Sequence, residues 1–192
     1  MRNPGRRPLC ASRPGIFMIL YLMRHADAGK MLGNPALDSK RALVKEGKDQ
    51  CMVMGRALNA LKVQLDVVVS SPLKRALQTA QFVGTELGYE AKVEVSQALA
   101  PEAKYIEFQA MLAAHTGRET MLVVGHNPNI FRFLGNLIAG PNGAAIRMRK
   151  GSIACVDMRH HPPRLQWLLD VRTVRGFYSS VQKSSRAKTS RK

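Results

Sequence analysis

Short apolar runs alternate along this chain with segments whose apolar residues recur every three or four positions. Apolar runs of a few residues that are rich in β-branched side chains are typical of buried strands, and the longer period is typical of helices with one buried face. The first pattern predicts strands at 17–23, 66–70, 91–95, 120–125, 152–158 and 165–171. The second predicts helices at 44–62, 72–87, 104–114 and 128–139.

The helix predicted at 72–87 has the clearest pattern. Its apolar positions follow the i, i+3, i+4, i+7 spacing of a single face. Ser71 is predicted as its N-cap and Pro72 as its first residue. Because strands and helices alternate, we predict an α/β fold, a three-layer αβα sandwich around a mainly parallel central sheet.

The positive charge is concentrated at the two ends of the chain. The 192 residues carry a net charge of +17, with four arginines and no acid in residues 1–15 and five basic residues and no acid in residues 183–192. This leaves +8 for residues 16–182. Basic ends with few apolar residues cannot offset the entropy of ordering. We therefore expect one domain at 17–178, between disordered basic segments at 1–16 and 179–192.

The apolar run 16–23 has eight residues, whereas a membrane-spanning helix needs about 20. The basic N-terminal segment has three interpretations. A secretory signal is disfavoured because Arg24 and His25 interrupt it, and an arginine-rich transit peptide is the second possibility. We favour the third, in which translation starts at Met18. The three cysteines are far apart and predict no disulfide framework. We expect a cytoplasmic protein that does not associate with membranes.

Polar residues follow three of the predicted strands. Arg24 and His25 follow the first, Ser71 and Arg75 the second, and His126 the strand at 120–125. Parallel sheets bind ligands at the carboxyl ends of their strands, so these side chains should meet in one crevice. Two guanidinium groups and two helix N-termini suit a tetrahedral, doubly charged anion such as phosphate. The spacing provides no metal site, and an unprotonated imidazole is the best nucleophile available.

Three segments in this order carry a family resemblance: LMRHA at 22–26, SSPLKRALQT at 70–79 and VGHN at 124–127. They resemble the histidine phosphatase superfamily, and the short chain resembles its small phosphohistidine phosphatases. The resemblance covers about residues 18–172 and implies a phosphoglycerate mutase-like fold. It also implies catalysis without a metal or other cofactor.

The resemblance implies a role for each matched residue. His25 would attack phosphorus and carry the phosphoryl group, Arg24 and Arg75 would hold its equatorial oxygens, and His126 would donate a hydrogen bond to the same oxygens. The nucleophile must be unprotonated. The reference pKa of histidine is about 6.5, and the neighbouring arginines should lower the pKa of His25 further.

Three further residues are assigned to substrate binding. Asn127 belongs to the third motif. Arg41, in a loop with Asp38, would reach the phosphate or a partner protein, although an exposed loop arginine is the alternative. Glu102 is the candidate general acid for an alkoxide leaving group, and its alternative is a solvated carboxylate at a helix start.

Without a dedicated acid, phosphohistidine is the favoured substrate, because its leaving imidazole accepts a proton readily. The resemblance thus predicts a metal-independent phosphatase that acts on a phosphorylated histidine-containing signalling protein. One alternative is a broad phosphomonoesterase that acts on small phosphate esters. The other is a non-enzymatic polyanion-binding protein, which the net positive charge favours. No nucleic-acid-binding motif is present in the sequence, so nucleic acid is not an expected partner.

Overall fold

A six-stranded sheet forms the middle layer of the computed structural model, which describes residues 17–189 and the side chains of residues 17–180. The strands are β1 (Ile19–Arg24), β2 (Val67–Ser70), β3 (Glu94–Val95), β4 (Thr120–Gly125), β5 (Ile153–Asp157) and β6 (Arg164–Leu169). Their order is β3-β2-β4-β1-β5-β6, and only β5 runs antiparallel to its neighbours. The predicted mainly parallel sheet is confirmed.

Helices cover both faces of this sheet. They are α1 (Pro35–Ser39), α2 (Lys45–Ala60), α3 (Lys74–Glu86), α4 (Tyr105–Ala114), α5 (Asn129–Ala139) and α6 (Val171–Thr189), with 3₁₀ turns at Gln97–Leu99 and Gly140–Asn142. Side chains alternate between faces along a strand, so Leu20 and Leu22 pack with α4 and α5 while Tyr21 and Met23 pack with α2, α3 and α6. The two cores on either side of β1 confirm the three-layer sandwich.

The predicted N-cap at Ser71 is wrong. Helix α3 begins at Lys74, and its N-cap Leu73 is extended and makes no side-chain capping bond. The Ser71 amide still donates to Val124 O at 3.0 Å, so Ser71 prolongs the edge of the sheet instead of starting the helix. Its hydroxyl is left free for another role in the site described below.

Helix α6 extends to Thr189, beyond the predicted domain end at residue 178. This helix starts directly after Asp170, whose Oδ1 accepts the Thr173 amide at 2.9 Å and the Thr173 hydroxyl at 3.2 Å. Val171 and Val174 are buried against the sheet, which anchors the first turns. The predicted segment 1–16 lies outside the described residues, and the domain boundaries remain a prediction.

Helix α2 approaches the end of β1 closely through Gly47. A Cβ at this position would collide with the carbonyl oxygen of Asp27, two residues beyond His25. On the other side, the Val44 amide donates to the same carbonyl at 3.1 Å. The loop that follows β1 is therefore held directly against the start of α2.

Two smaller expectations can also be compared with the fold. Cys51 and Cys155 are unpaired and buried, as expected of core thiols, and burial raises their thiol pKa values to about 12 and about 11. Within residues 17–189, none of the helices combines the length and the apolar character that crossing a bilayer requires.

Candidate active site

A cavity of about 600 Å³ opens at the carboxyl ends of β1, β2 and β4. It brings together all of the residues that the sequence assigned to the site. They are Arg24, His25, Arg41, Arg75, Glu102, His126 and Asn127. The loop 29–41, which follows the first motif, forms one wall, and Pro101 with Glu102 lies on the rim. The predicted convergence of the strand ends is therefore observed.

His25 is fixed at the end of β1 by its backbone and by one ring nitrogen. Its amide donates to Gly125 O at 2.9 Å, and its buried ring places Nδ1 2.7 Å from Ala26 O. A carbonyl oxygen can only accept, so Nδ1 carries the proton in this contact. In a neutral ring, the lone pair therefore lies on Nε2, which has no hydrogen-bond partner among the described residues.

The surroundings of His25 keep its ring unprotonated. The pKa of His25 is lowered to about 4: burial is the largest cause, the bond to Ala26 O opposes the shift, and the charges of Arg75, Arg24 and Arg41 contribute to it. The sequence predicted the direction from the arginines alone. Burial, which a sequence does not reveal for a residue at a strand end, is the larger cause.

His126 stands beside His25, with the ring centroids 5.0 Å apart. Its Nε2 lies 2.8 Å from Ser71 Oγ, and this hydroxyl also accepts the Leu73 amide at 3.3 Å. We assign the Ser71 hydroxyl as the donor to Nε2, and in this tautomer the proton of His126 lies on Nδ1. That nitrogen is buried without a partner within the described residues, so it is a ready donor to an oxyanion.

Arg24 and Asn127 are oriented by the same backbone carbonyl. Arg24 Nη1 donates to Met148 O at 3.1 Å, and Asn127 Nδ2 donates to it at 2.9 Å. Arg24 Nε is buried and has no partner among the described residues. The 148 carbonyl, which no sequence pattern marked, thus sets the guanidinium at the cavity wall, where its buried Nε–H is unused.

Asp38 bridges the two other arginines of the cavity. Its Oδ2 accepts Arg75 Nη1 at 3.0 Å, and its Oδ1 accepts Arg41 Nε at 2.8 Å. Arg75 Nε remains buried without a partner within the described chain. Arg41 also donates to Ala28 O and Gly29 O, both at 3.0 Å. Arg41 is thus a half-buried residue that ties the loop together, not an exposed one.

We expect Asp38→Asn to lower kcat/KM for phosphate release about tenfold, because the substitution removes the carboxylate that orients the guanidinium of Arg75. The inhibition constant for tungstate, a tetrahedral oxyanion like phosphate, should rise by a similar factor. The melting temperature should fall by only a few degrees. Asp66→Asn is the matched control. The Asp66 carboxylate also accepts backbone N–H groups, but it lies near the amino ends of the strands, at the end opposite the cavity. Equal loss of activity in both variants would show that Asp38 acts only through stability.

Glu102 lies on the rim with an exposed side chain and no hydrogen bond within the described residues. The turn that carries it is fixed by Asn129, whose Nδ2 donates to Pro101 O at 2.6 Å and to Ala103 O at 2.9 Å. Glu102 precedes the N-cap of α4 by two residues, so it is not a first-turn carboxylate of that helix. An exposed carboxyl group thus lies at the cavity.

Two further residues hold the segment around His25 in place. The hydroxyl of Thr79 accepts the Ala26 amide at 3.0 Å and donates to Arg75 O at 2.7 Å, which joins the end of β1 to α3. Lys150 lines the cavity and donates to Asp27 Oδ1 at 2.7 Å. Thr79 lies four residues after Arg75 on one helix face, which was the available signal. Lys150 comes from a distant segment and had none.

The charge at this site comes from arginine, lysine and backbone groups. Over the described residues, no three histidine, cysteine, aspartate or glutamate side chains lie together as metal ligands would. His25 and His126 bond to a carbonyl and a hydroxyl instead. The arrangement suits the binding of a tetrahedral oxyanion by several N–H donors next to one nucleophilic nitrogen.

Sequence comparison identifies relatives of this chain. A sequence profile of the histidine phosphatase superfamily (branch 1) matches residues 20–102. Phosphohistidine phosphatase SixA of Escherichia coli (strain K12) is 34% identical over 125 residues, which are 64% of this chain and 76% of that protein. The chain belongs to the histidine phosphatase superfamily. Its relationship to SixA confirms the resemblance to the small phosphohistidine phosphatases.

Solved structures of the superfamily share the fold. The structure of the protein histidine phosphatase SixA complexed with tungstate superposes with a TM-score of 0.74 at 28% identity, covering 82% of this chain and 99% of that one. Phosphoglycerate mutase of Bacillus anthracis str. Sterne has a TM-score of 0.64 at 14% identity, over 84% of this chain and 96% of that one. The second match concerns the fold alone and confirms the phosphoglycerate mutase-like architecture.

Proposed function

We propose that this histidine phosphatase superfamily member hydrolyses phosphohistidine in a protein, through a covalent phosphohistidine on its own His25 and without a metal ion. The observation that carries the proposal is the hydrogen bond from Nδ1 to Ala26 O. It directs the lone pair of a buried, neutral imidazole away from the backbone, in a cavity that also contains Arg24, Arg75 and His126.

In the first step, His25 Nε2 attacks phosphorus in line, and the phosphorus–nitrogen bond of the substrate breaks. The leaving imidazole takes up a proton, and its basicity near neutral pH makes a strong acid unnecessary. Arg24 Nε, Arg75 Nε and His126 Nδ1 are three buried groups without hydrogen-bond partners among residues 17–180, and we assign them as donors to the equatorial oxygens of the phosphoryl group.

In the second step, water attacks the phosphoryl group on His25, the bond to Nε2 breaks, and inorganic phosphate leaves. His25 then regains a neutral ring with its proton on Nδ1. The same three donors serve both steps, because the geometry of the transferring group is the same in each. The fixed guanidinium groups supply the positive charge that a metal supplies in other phosphatases.

The direct test is to quench the enzyme during turnover of phosphohistidine in the presence of EDTA. We expect an acid-labile, base-stable phosphoryl group on His25, located by mass spectrometry of peptides kept at alkaline pH. The adduct should disappear when the substrate is exhausted. Turnover without any adduct on His25, or turnover that EDTA abolishes and added metal restores, would contradict the proposal.

The pH dependence follows from the pKa of about 4 for His25. The active form is unprotonated, so kcat/KM should rise with pH to a half-maximal value near pH 4 and stay level above about pH 5.5. An exposed histidine would give a midpoint near 6.5. The profile should be measured with a substrate stable at low pH, such as a nitrophenyl phosphate, because phosphohistidine itself hydrolyses in acid. A midpoint near 6.5 would show that the ring is not buried in the working enzyme.

A broad phosphomonoesterase is the second candidate function, and the position of Glu102 on the rim favours it. An alkoxide is a poor leaving group, and a positioned acid typically contributes 10²–10⁴-fold. We expect Glu102→Gln to lower kcat about tenfold for sugar phosphates and less than threefold for phosphohistidine, because the exposed carboxyl is only partly positioned. Glu107→Gln, in the next helix, is the control. Faster hydrolysis of sugar phosphates by the unmodified enzyme would make esters the favoured substrates.

A further inference from the structure

A second, strongly basic cavity of about 380 Å³ adjoins the active site. We call it the basic groove and define it by its six cationic residues, Arg24, Arg147, Arg149, Lys150, Arg172 and Arg175. Its carboxylates are Glu46 and Asp170. Arg24 and Lys150 also line the catalytic cavity, so the two spaces share a wall.

Apart from Arg24 of β1, the cations of the groove come from the segment 147–150 and from helix α6. In the segment 147–150, Arg147 is exposed, Met148 is buried, and Arg149 and Lys150 are half-buried. This segment is tied to the nucleophile, because the Gly151 amide donates to both Arg24 O and His25 O at 3.2 Å. Arg172 and Arg175 lie three residues apart in the first turns of α6 and share one side of that helix.

Internal pairing leaves much of this charge unmatched. Arg175 lies 2.8 Å from Glu46 Oε1, and Arg149 lies 3.8 Å from Asp170 Oδ2. Arg147 and Arg172 have no carboxylate partner in the part of the chain that the structure describes. Two exposed, unpaired arginines beside a catalytic cavity present a positive field to whatever approaches it.

The groove is continued by a neighbouring hollow. Arg175 also lines a further hollow of about 390 Å³, together with Val53, Arg56 and Tyr178. The catalytic cavity, the groove and this hollow are thus linked in a row through shared residues. A row of this kind fits an extended segment of polypeptide more closely than a single phosphate group.

We infer that the basic groove docks acidic residues of the protein segment that carries the substrate phosphohistidine. The inference rests on the proposed function. A phosphorylated imidazole reaches His25 while carboxylates next to it in the same segment meet Arg147 and Arg172. Exposed pairs of this kind raise the rate of productive encounter and are weakened by salt. Arg147 and Arg172 would thus select acidic substrate segments without contacting the reacting phosphorus.

The test uses three substrates: free phosphohistidine, a peptide with one phosphohistidine flanked by glutamates, and the same peptide flanked by glutamines. At low ionic strength we expect kcat/KM to be about tenfold higher for the acidic peptide than for the neutral one. The double variant Arg147→Ser/Arg172→Ser should reduce this preference to below about twofold. Its activity on free phosphohistidine should stay within about twofold of the unmodified enzyme, because neither residue lines the catalytic cavity.

Lys92→Ser/Arg118→Ser is the matched control, because it removes the same charge from exposed residues near the amino ends of β3 and β4. The control should keep the preference for the acidic peptide. An equal loss in both double variants would overturn the docking site, since net charge alone would then explain the effect. An unchanged preference in Arg147→Ser/Arg172→Ser would overturn it as well.

Binding of the unphosphorylated acidic peptide, followed by fluorescence anisotropy, separates docking from catalysis. If no phosphohistidine substrate is hydrolysed but the peptide binds and Arg147→Ser/Arg172→Ser abolishes binding, the proposed function fails and the docking site stands. If phosphohistidine is hydrolysed but the acidic peptide neither binds nor gains rate, the docking site fails alone. Tighter groove-dependent binding of polyuridylate at equal salt would assign the groove to nucleic acid and overturn the inference.

Discussion

His25→Ala should lower kcat at least about 10⁴-fold and leave no phosphoryl adduct on the protein, because no second neutral nitrogen stands in its place. His126, the other ring in the cavity, has its Nε2 engaged by Ser71. The measurement is phosphate release from phosphohistidine, together with mass spectrometry of the quenched enzyme.

The variant should remain folded, because the ring of His25 makes one hydrogen bond and its backbone contacts do not depend on the side chain. His115→Ala is a matched control, since His115 Nδ1 also contacts a backbone carbonyl, that of Met111, at 2.8 Å. This control should retain full activity. More than a few per cent of residual kcat in His25→Ala, with circular dichroism unchanged, would remove His25 as the nucleophile.

Arg75→Lys should lower kcat by about 10²–10³-fold although the charge is kept. Arg75 uses Nη1 for Asp38 and keeps Nε as an unpaired buried donor, so one guanidinium holds the loop and serves the cavity at once. An ammonium group is a point donor and cannot do both in a fixed plane. The loss should appear in kcat and in the inhibition constant for tungstate.

Arg159→Lys provides the comparison for that variant. Arg159 forms a two-point pair with Asp157, at 2.9 Å from Nε to Oδ1 and 2.7 Å from Nη2 to Oδ2. Asp157 is paired with Ile19 at the start of β1, so this ion pair lies at the end of the strands opposite the cavity. Arg159→Lys should leave kcat unchanged. If Arg75→Lys also retains most of its activity, the double role of Arg75, as a partner of Asp38 and as a donor to the cavity, is disproved.

The sequence was sufficient to predict the features that depend on local pattern. All six strands are near their predicted places. The inner strands β1, β2, β4 and β5 are buried on both faces, and their runs, such as residues 67–69, are therefore continuously apolar. The four predicted catalytic residues share one cavity for a similar reason, since parallel strand ends meet at one edge whatever the loops do.

The remaining features depend on contacts between distant residues. Nothing in the sequence indicates that Met148 O orients Arg24, or that Asp38 joins Arg41 to Arg75 across the cavity. Helix α6 was missed because its basic composition outweighed two buried valines, which become a helix anchor only once the sheet is present. The role of Ser71 changed for the same reason, because its partner His126 is 55 positions away.

The separation of the two histidine rings is set by the backbone. Arg24 and Gly125 are paired across β1 and β4, so His25 and His126 leave the sheet in register, and their rings lie 5.0 Å apart, close to the ordinary spacing of neighbouring strands. Deleting a single residue from either strand would turn the following histidine toward the opposite layer. Natural variation in this protein should therefore accumulate in its connecting loops and leave the lengths of these two strands unchanged.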